Sequence, residues 1–471
     1  MTNPHIPHYH FLPEKGWMND PNGLVYFRDQ WHLFYQFYDP SMLDGMQWGH
    51  AISDDLVHWR HLPPAIQPDR HGQIWSGSAV VDHHDTSGLF DGKPGIVCLF
   101  TYWDKSDHRQ CQGMAYSPDG LTFHTYEGNP VIPQLRYLEG HPDDKDFRDP
   151  KVFRHEKTNR WIMAVAGGKL RIFSSPDLIH WTFESIAEDI TTECPDLFRL
   201  PIDGDPGQSR WVLSRGGRRY MLGDFDGTRF TPISESLTMS VGPDFYATQS
   251  FSDAPSGRRV IVSWLHNWGY GSSLSPEGIT NAFPTGAQAG GCMTVPYETC
   301  LRATVDGPRL CMVPVAELDR LFTFAATTDR VELTDAGARQ LEISKPAADV
   351  RFTVAECEGR CGLRIATGDG TWISCGYDSA AHALFIDRRR SGLDHVKGYC
   401  GDYLSPPIGT PGPVTVRVLL DACSVELFAG DGEVHMSAFV LPLPDNCRVE
   451  LFGDGRAVAE LLRVGDLVER D

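Results

Sequence analysis

Nowhere in this chain of 471 residues do eighteen apolar residues run together, so no membrane-spanning helix is expected. Positive charge is also in short supply. Lys and Arg number 42 against 62 Asp and Glu, a formal net charge of -20. Such a surface repels phosphate backbones and anionic lipid, which argues against nucleic-acid and membrane partners and suits a neutral substrate. The opening residues, MTNPHIPHYHFLPEKG, lack the basic start, apolar run and small-residue cleavage site of an export signal. A cytoplasmic location is the corresponding expectation. The twelve cysteines are scattered, and the close pair Cys357 and Cys361 has neither a second pair nor a His nearby. Neither a disulfide framework nor a metal site follows from that spacing, and most of the thiols are expected to be free and buried.

Helical periodicity is scarce as well. What recurs is the short apolar run bounded by Gly, Pro, Asp or Asn: GLVYF, HLFYQFY, GIVCLFTYW, WIMAVAG, RIFSS, RWVLSRG and RVIVSW. Many short strands joined by turns indicate an all-β protein. A weak repeat sharpens this. SDDLVHW (53–59), SPDGLTF (117–123) and SPDLIHW (175–181) share a Ser, an Asp, a Leu and a closing aromatic, with DFDGTRF (224–230) as a degenerate fourth copy. Starts at 53, 117 and 175 are 64 and 58 residues apart, a length that suits a four-stranded propeller blade with long loops. Five blades are expected over residues 1–305. Residues 306–322 read as a linker, with VPVAELDRL (313–321) as the one convincing helical piece. Beyond it, DVRFTVAE, HALFIDRRR, VTVRVLLD and SVELFAG alternate as strands of a β-sandwich over 323–471. At this length two domains are the natural expectation.

Propellers carry function at the mouth of the central channel, on strands from different blades. Three acids in the first 300 residues have unusual settings: Asp20 in GWMNDPNG, Asp149 in FRDPKVF and Glu193 in TTECPDLF. Each alone reads as something ordinary: a surface turn, a salt-bridged turn, an edge-strand acid. Together they are three acids, each with a proline close behind, entering strands one or two repeats apart. Paired carboxylates flanking a bond are what glycoside hydrolysis needs, one attacking or activating water and one protonating the leaving oxygen. A third can stabilise the positive charge that develops on the sugar ring.

The set WMNDPNG, WSGSA, FRDP, ECPD and DFYATQSF, followed by SWLHNWGY and MTVPYE, resembles glycoside hydrolase family 32, the β-fructofuranosidases. The resemblance runs from about residue 8 to the end, because DACSVELFAGDG is similar to a segment of that family's C-terminal sandwich. It implies a five-bladed propeller followed by a β-sandwich, no cofactor or metal, and release of terminal β-D-fructofuranosyl units from sucrose or fructans through a covalent fructosyl-enzyme. By the same resemblance Asp20 is the nucleophile, Glu193 the acid/base and Asp149 the transition-state stabiliser. Asp20 should then stay ionised among hydrogen-bond donors, and Glu193 should start protonated, its pKa raised by the two neighbouring carboxylates. Asn19, Gln36 and Arg148 match positions that bind fructosyl hydroxyls. Trp48, Trp75, Ser76 and Ser78 lie in segments lining the same pocket, and Trp268 of HNWGY joins them as a candidate.

Two departures from the family pattern stand out. Ser240 occupies a place where many members carry an Asp on the leaving-group side, and a long polar stretch, GYGSSLSPEGITNAFPTGAQAGG, separates two motifs. Such loops commonly set substrate choice. Alternatives remain at this point: a fructosyltransferase on levan or inulin, including intramolecular transfer to a difructose anhydride; an inverting propeller glycosidase; and an inactive sugar-binding protein. The sequence is silent on oligomeric state.

Overall fold

The computed structural model describes residues 7–39, 41, 45–134, 146–271, 291–334, 337–368, 370–409, 412–440, 443 and 447–468. Most of the polar stretch (272–290) and the first six residues lie outside them. The chain is a five-bladed β-propeller followed by a β-sandwich. By its internal contacts it divides into two units. One comprises Pro13–Leu237 with Tyr246–Ser263, and the other Met1–Leu12, Thr238–Phe245 and Trp264–Asp471.

Four blades lie wholly within the first unit; three are antiparallel sheets of four strands in chain order, and the fourth is a run of four antiparallel strands in chain order within a larger sheet. Blade 1 is β1 (Trp17–Phe27), β2 (Gln30–Tyr38), β3 (Gln47–Ser53) and β4 (Arg60–Ile66). Blade 2 is β5 (Gln73–Asp82), β6 (Gly95–Trp103), β7 (Gln110–Ser117) and β8 (His124–Thr125). Blade 3 is β9 (Arg148–His155), β10 (Arg160–Ala166), β11 (Gly168–Ser175) and β12 (Thr182–Thr192). Blade 4 is β13 (Asp196–Ile202), β14 (Asp205–Arg215), β15 (Arg219–Phe225) and β16 (Phe230–Pro232). The first strands β1, β5 and β9 pack side by side. Blades cover one another on both faces, which is why β6 reads GIVCLFTYW without polar alternation and is buried almost throughout. One apolar cluster joins Val25, Phe34 and Trp48 to Ala79, Ile96 and Phe100 across blades 1 and 2. Equivalent clusters join blade 2 to 3 and blade 3 to 4.

The repeat proves to be the turn between the third and fourth strand of each blade. Asp55, Asp119, Asp177 and Asp226 each accept two backbone N–H groups, from the residues two and three further on, at 2.7 to 3.2 Å. The residue after each Asp takes a left-handed φ: Leu56 68°, Gly120 80°, Leu178 67° and Gly227 104°. Leucine tolerates that conformation poorly, and the two leucines are held in it by complete burial. The repeat thus encodes a side-chain-closed turn.

In the second unit, a sheet containing Ala457–Leu467, Ala348–Cys357, Val414–Asp421, Ser424–Ala429 and Val434–Phe439 accompanies a six-stranded sheet running from Arg339–Gln340 to Asp402–Leu404. Val350, Val416 and Leu427 of the first share one core with Leu363, Ile373 and Leu451 of the second. The helical piece expected at 313–321 is a 3-10 helix, Ala316–Leu321. Pro314 precedes it, and six residues are too few for a packed amphipathic face. Ser240 is buried here, its hydroxyl 2.8 Å from His435 Nδ1. The N-terminal segment is bound into the same unit. Asp421 accepts the N–H groups of His8, Tyr9 and His10, and the buried His10 ring bridges Asp421 (2.8 Å) and Glu426 (2.6 Å). No disulfide joins the twelve cysteines, all of which are among the described residues, and most are buried.

Candidate active site

The three acids come from three blades of the first unit. Asp20 lies in β1, Asp149 near the start of β9, and Glu193 in the turn from β12 to β13. Asp20 Oδ2 accepts the Ser76 hydroxyl at 2.7 Å, whereas its other oxygen is buried with no hydrogen-bond partner among the described residues. Cys194 sits between the first two acids, its Sγ 3.6 Å from both Asp20 Oδ2 and Asp149 Oδ2, and its backbone N–H donates to Asp149 Oδ2 at 3.0 Å. Arg148 reaches across to the third, donating from Nη2 to Glu193 Oε1 at 2.5 Å while Nη1 holds Asp146 at 2.6 Å. The other Glu193 oxygen accepts the hydroxyl of Tyr246.

Backbone strain gathers at this place. Asp149, Cys194 and Ala247 all adopt positive φ, at 62°, 40° and 53°, a conformation that non-glycine residues hold only when their surroundings impose it. The bonds from Cys194 N–H to Asp149, and from Ala247 N–H to the Gly216 carbonyl at 3.0 Å, show what imposes it.

Electrostatics follow from burial and from too few cations. Burial raises the Asp149 carboxyl to about 7; the Arg148 charge opposes this, and the charges of Asp20 and Glu193 add to it. Asp20 is also raised by burial, with the Ser76 hydrogen bond opposing. The sequence led us to expect an easily ionised Asp20 among donors; hydrogen bonds from Ser76, Asn19 and Cys194 do act to lower it, but burial outweighs them. Of the two carboxyls, that of Asp149, the acid assigned as transition-state stabiliser, is raised further. Two close, buried carboxylates cannot ionise independently, so proton affinity rises at the deeper of the two.

The other expected positions separate into groups. Ser76 touches Asp20 directly. Asn19 is buried and accepts the Trp17 indole N–H at 2.9 Å, and Gln36 is buried with its amide on the Ile74 carbonyl at 3.2 Å. Ser78 is occupied in stitching β5 to β9, donating to the Pro150 carbonyl and accepting from Val152 N–H, both at 2.9 Å. Trp48 is fully buried between Phe34 and Phe100, and its indole N–H holds the Trp75 carbonyl at 3.0 Å. It therefore bears on the pocket through Trp75. Trp75, half-buried, stacks on Trp103 with ring centroids 5.1 Å apart and planes 10° apart. Trp268 belongs to the other unit, where it packs on Trp264 and remains 45% exposed.

Three neighbours were missed from the sequence. Cys194 and Tyr246 stand inside quoted motifs, in ECPD and DFYATQSF, where an acid-centred reading passes over them. Trp103 has no motif; the register of β5 with β6 alone brings it beside Trp75.

The glycosyl hydrolases family 32 N-terminal domain matches residues 10–305, and the family 32 C-terminal domain matches residues 317–465. The chain belongs to glycosyl hydrolases family 32. This family 32 enzyme is 38% identical over 480 residues to the levanase of Bacillus subtilis (strain 168), covering 95% of this chain and 68% of that protein. It is 31% identical over 525 residues to the extracellular exo-inulinase of Aspergillus ficuum, covering 97% of this chain and 93% of that one. Among solved structures, the crystal structure of exo-inulinase from Aspergillus awamori superposes with a TM-score of 0.84 at 29% identity over 99% of both chains. The protein is thus a glycoside hydrolase of this family.

Proposed function

We propose that the protein releases terminal β-D-fructofuranosyl units from fructans such as levan and inulin, and from sucrose, by a retaining double displacement. The observation that carries this reading is the convergence of Asp20, Asp149 and Glu193 from three blades, with Arg148 and Cys194 linking them. Support for the substrate class comes from relatives named levanase and exo-inulinase.

Each residue then has a role its surroundings suit. Asp20 attacks the anomeric carbon through the oxygen that has no partner, while Ser76 holds the other oxygen and fixes the approach. Glu193, the most exposed of the three with 43% of its side chain accessible, protonates the leaving oxygen and afterwards activates water. Arg148 and Tyr246 hold its two oxygens and so aim it. Asp149 accepts hydrogen bonds from sugar hydroxyls and, when ionised, faces the developing oxocarbenium charge. The Trp75 and Trp103 pair offers an aromatic face to the sugar beyond the cleaved bond.

Incubation with levan, inulin and sucrose, with products separated and the first-formed anomer determined, tests this. Free fructose released with retention is the expected result. An inverted first product would remove Asp20 from its role, and longer oligosaccharides or a cyclic difructose would show that a sugar captures the intermediate in place of water.

A further inference from the structure

A second cavity opens in the first unit along β9 and β13 and reaches the ends of these strands farthest from the acids. Strand β9 carries Asp149 at its start and contributes Lys151, Phe153, Arg154 and His155 to the cavity lining, the last three roughly 13–20 Å further along at ~3.3 Å per residue. The volume is about 630 Å³, within the range of small-molecule sites.

Its charge runs against that of the chain. Six lining residues are Lys or Arg and three are Asp or Glu, in a protein where acids exceed bases by twenty. Lys157, Arg199 and Arg229 are exposed, and no ion pair of theirs is found among the described residues. Lys157 and Arg199 lie close enough together for both charges to bear on His155. One wall is aromatic. The half-buried Trp211 packs against Phe153 and Phe225 at centroid distances of 5.4 and 5.1 Å.

Cations gathered beside an aromatic wall in one cavity match a ligand that carries both an anion and a ring. We propose that this cleft binds a small phosphorylated molecule, its phosphate held by Arg199, Arg229 and Lys157 and its ring laid against Trp211. Arginine suits phosphate because its planar fork donates two parallel hydrogen bonds. The ring is that of a sugar or of a nucleobase; the limited volume and the overall negative charge disfavour an extended polyanion.

Calorimetric titration of the full chain with fructose 6-phosphate, adenosine 5′-phosphate, inorganic phosphate and fructose tests this. Saturable binding of at least one ester is expected, tighter than that of inorganic phosphate, and the tighter ester identifies the ring. The double variant Arg199→Ala/Arg229→Ala should weaken that binding at least tenfold and leave glycoside turnover unchanged, since both side chains are exposed and lie far from the acids. Asp20→Asn should leave ester binding intact, which separates this cleft from the candidate active site. Absence of saturable binding by both esters would overturn the proposal. So would affinity untouched by the double variant, inorganic phosphate binding as tightly as either ester, or tighter binding of duplex DNA than of both esters.

Discussion

Each unit of the molecule buries a cluster of carboxylates, and the two clusters titrate in opposite directions. In the unit containing the sandwich, Asp421 and Glu426 are fully buried yet held below their ordinary range; burial works against this, but the His10 imidazolium that bridges them outweighs it. His10 in turn is raised to about 10 by the same bonds, against its own burial. In the propeller unit Asp20 and Asp149 are raised, because burial there is opposed only by Arg148 and a few hydrogen bonds, and Arg148 is shared with Glu193 and Asp146. Matching buried charge with countercharge makes a brace. Leaving it unmatched makes a group ready to exchange a proton or attack.

The comparison can be broken first at Asp20. Asp20→Asn should lower kcat by roughly 10⁴-fold or more while leaving the far-ultraviolet circular dichroism unchanged, since a nucleophile carries the whole first step. Retained turnover would mean that the unmatched charge is structural after all. Next comes Arg148→Gln, which removes the cation opposing the rise of Asp149. We expect kcat/KM to fall about 10²–10³-fold, and any limb of the pH–rate profile that reports Asp149, near pH 7, to move upward. A downward move would contradict the assigned electrostatics.

The brace is tested at His10. His10→Gln should destabilise its unit by about 3–5 kcal/mol, the cost of leaving buried carboxylates without their cation. Amide exchange along Val414–Asp421 would report this locally. The pH signs also differ between the clusters. His10 is raised from 6.5 to about 10, so its stabilisation is complete below pH 6.5 and fades as pH rises toward 10, whereas that of Asp421 and Glu426 fades as pH falls through their lowered values. Asp149 is raised from 3.8 to about 7, so its contribution is complete below pH 3.8 and is lost as pH rises through 7. The variant should therefore lose the alkaline fading in its own unit only. The smallest effect belongs to the turns. Asp177→Ala should cost about 1 kcal/mol by freeing the N–H groups of Ile179 and His180, and Asp55→Ala should add to it independently because the two turns share no partner.

Much of this was legible beforehand for identifiable reasons. Strand-forming runs and turn residues act locally, so the all-β character and the repeat could be read from the chain. Acids flanked by proline and aromatic residues marked three blades. What could not be read depended on register and burial. Trp48, equally plausible in a pocket, is swallowed by the interface between blades 1 and 2. Trp103 reaches Trp75 only through strand pairing, and the proton affinity of Asp149 depends on how deeply three separate chain segments are packed together. The second cavity had no motif at all, since its lining is gathered from the ends of strands in neighbouring blades.

The turns that close each blade have a kinetic consequence. Each is held by bonds between residues no more than three apart in sequence, and each joins adjacent antiparallel strands. Contacts this local close with little loss of chain entropy and form early. The outer half of a blade can therefore assemble while its first strand still waits for neighbours, and the acids, which need three blades at once, are set in place last.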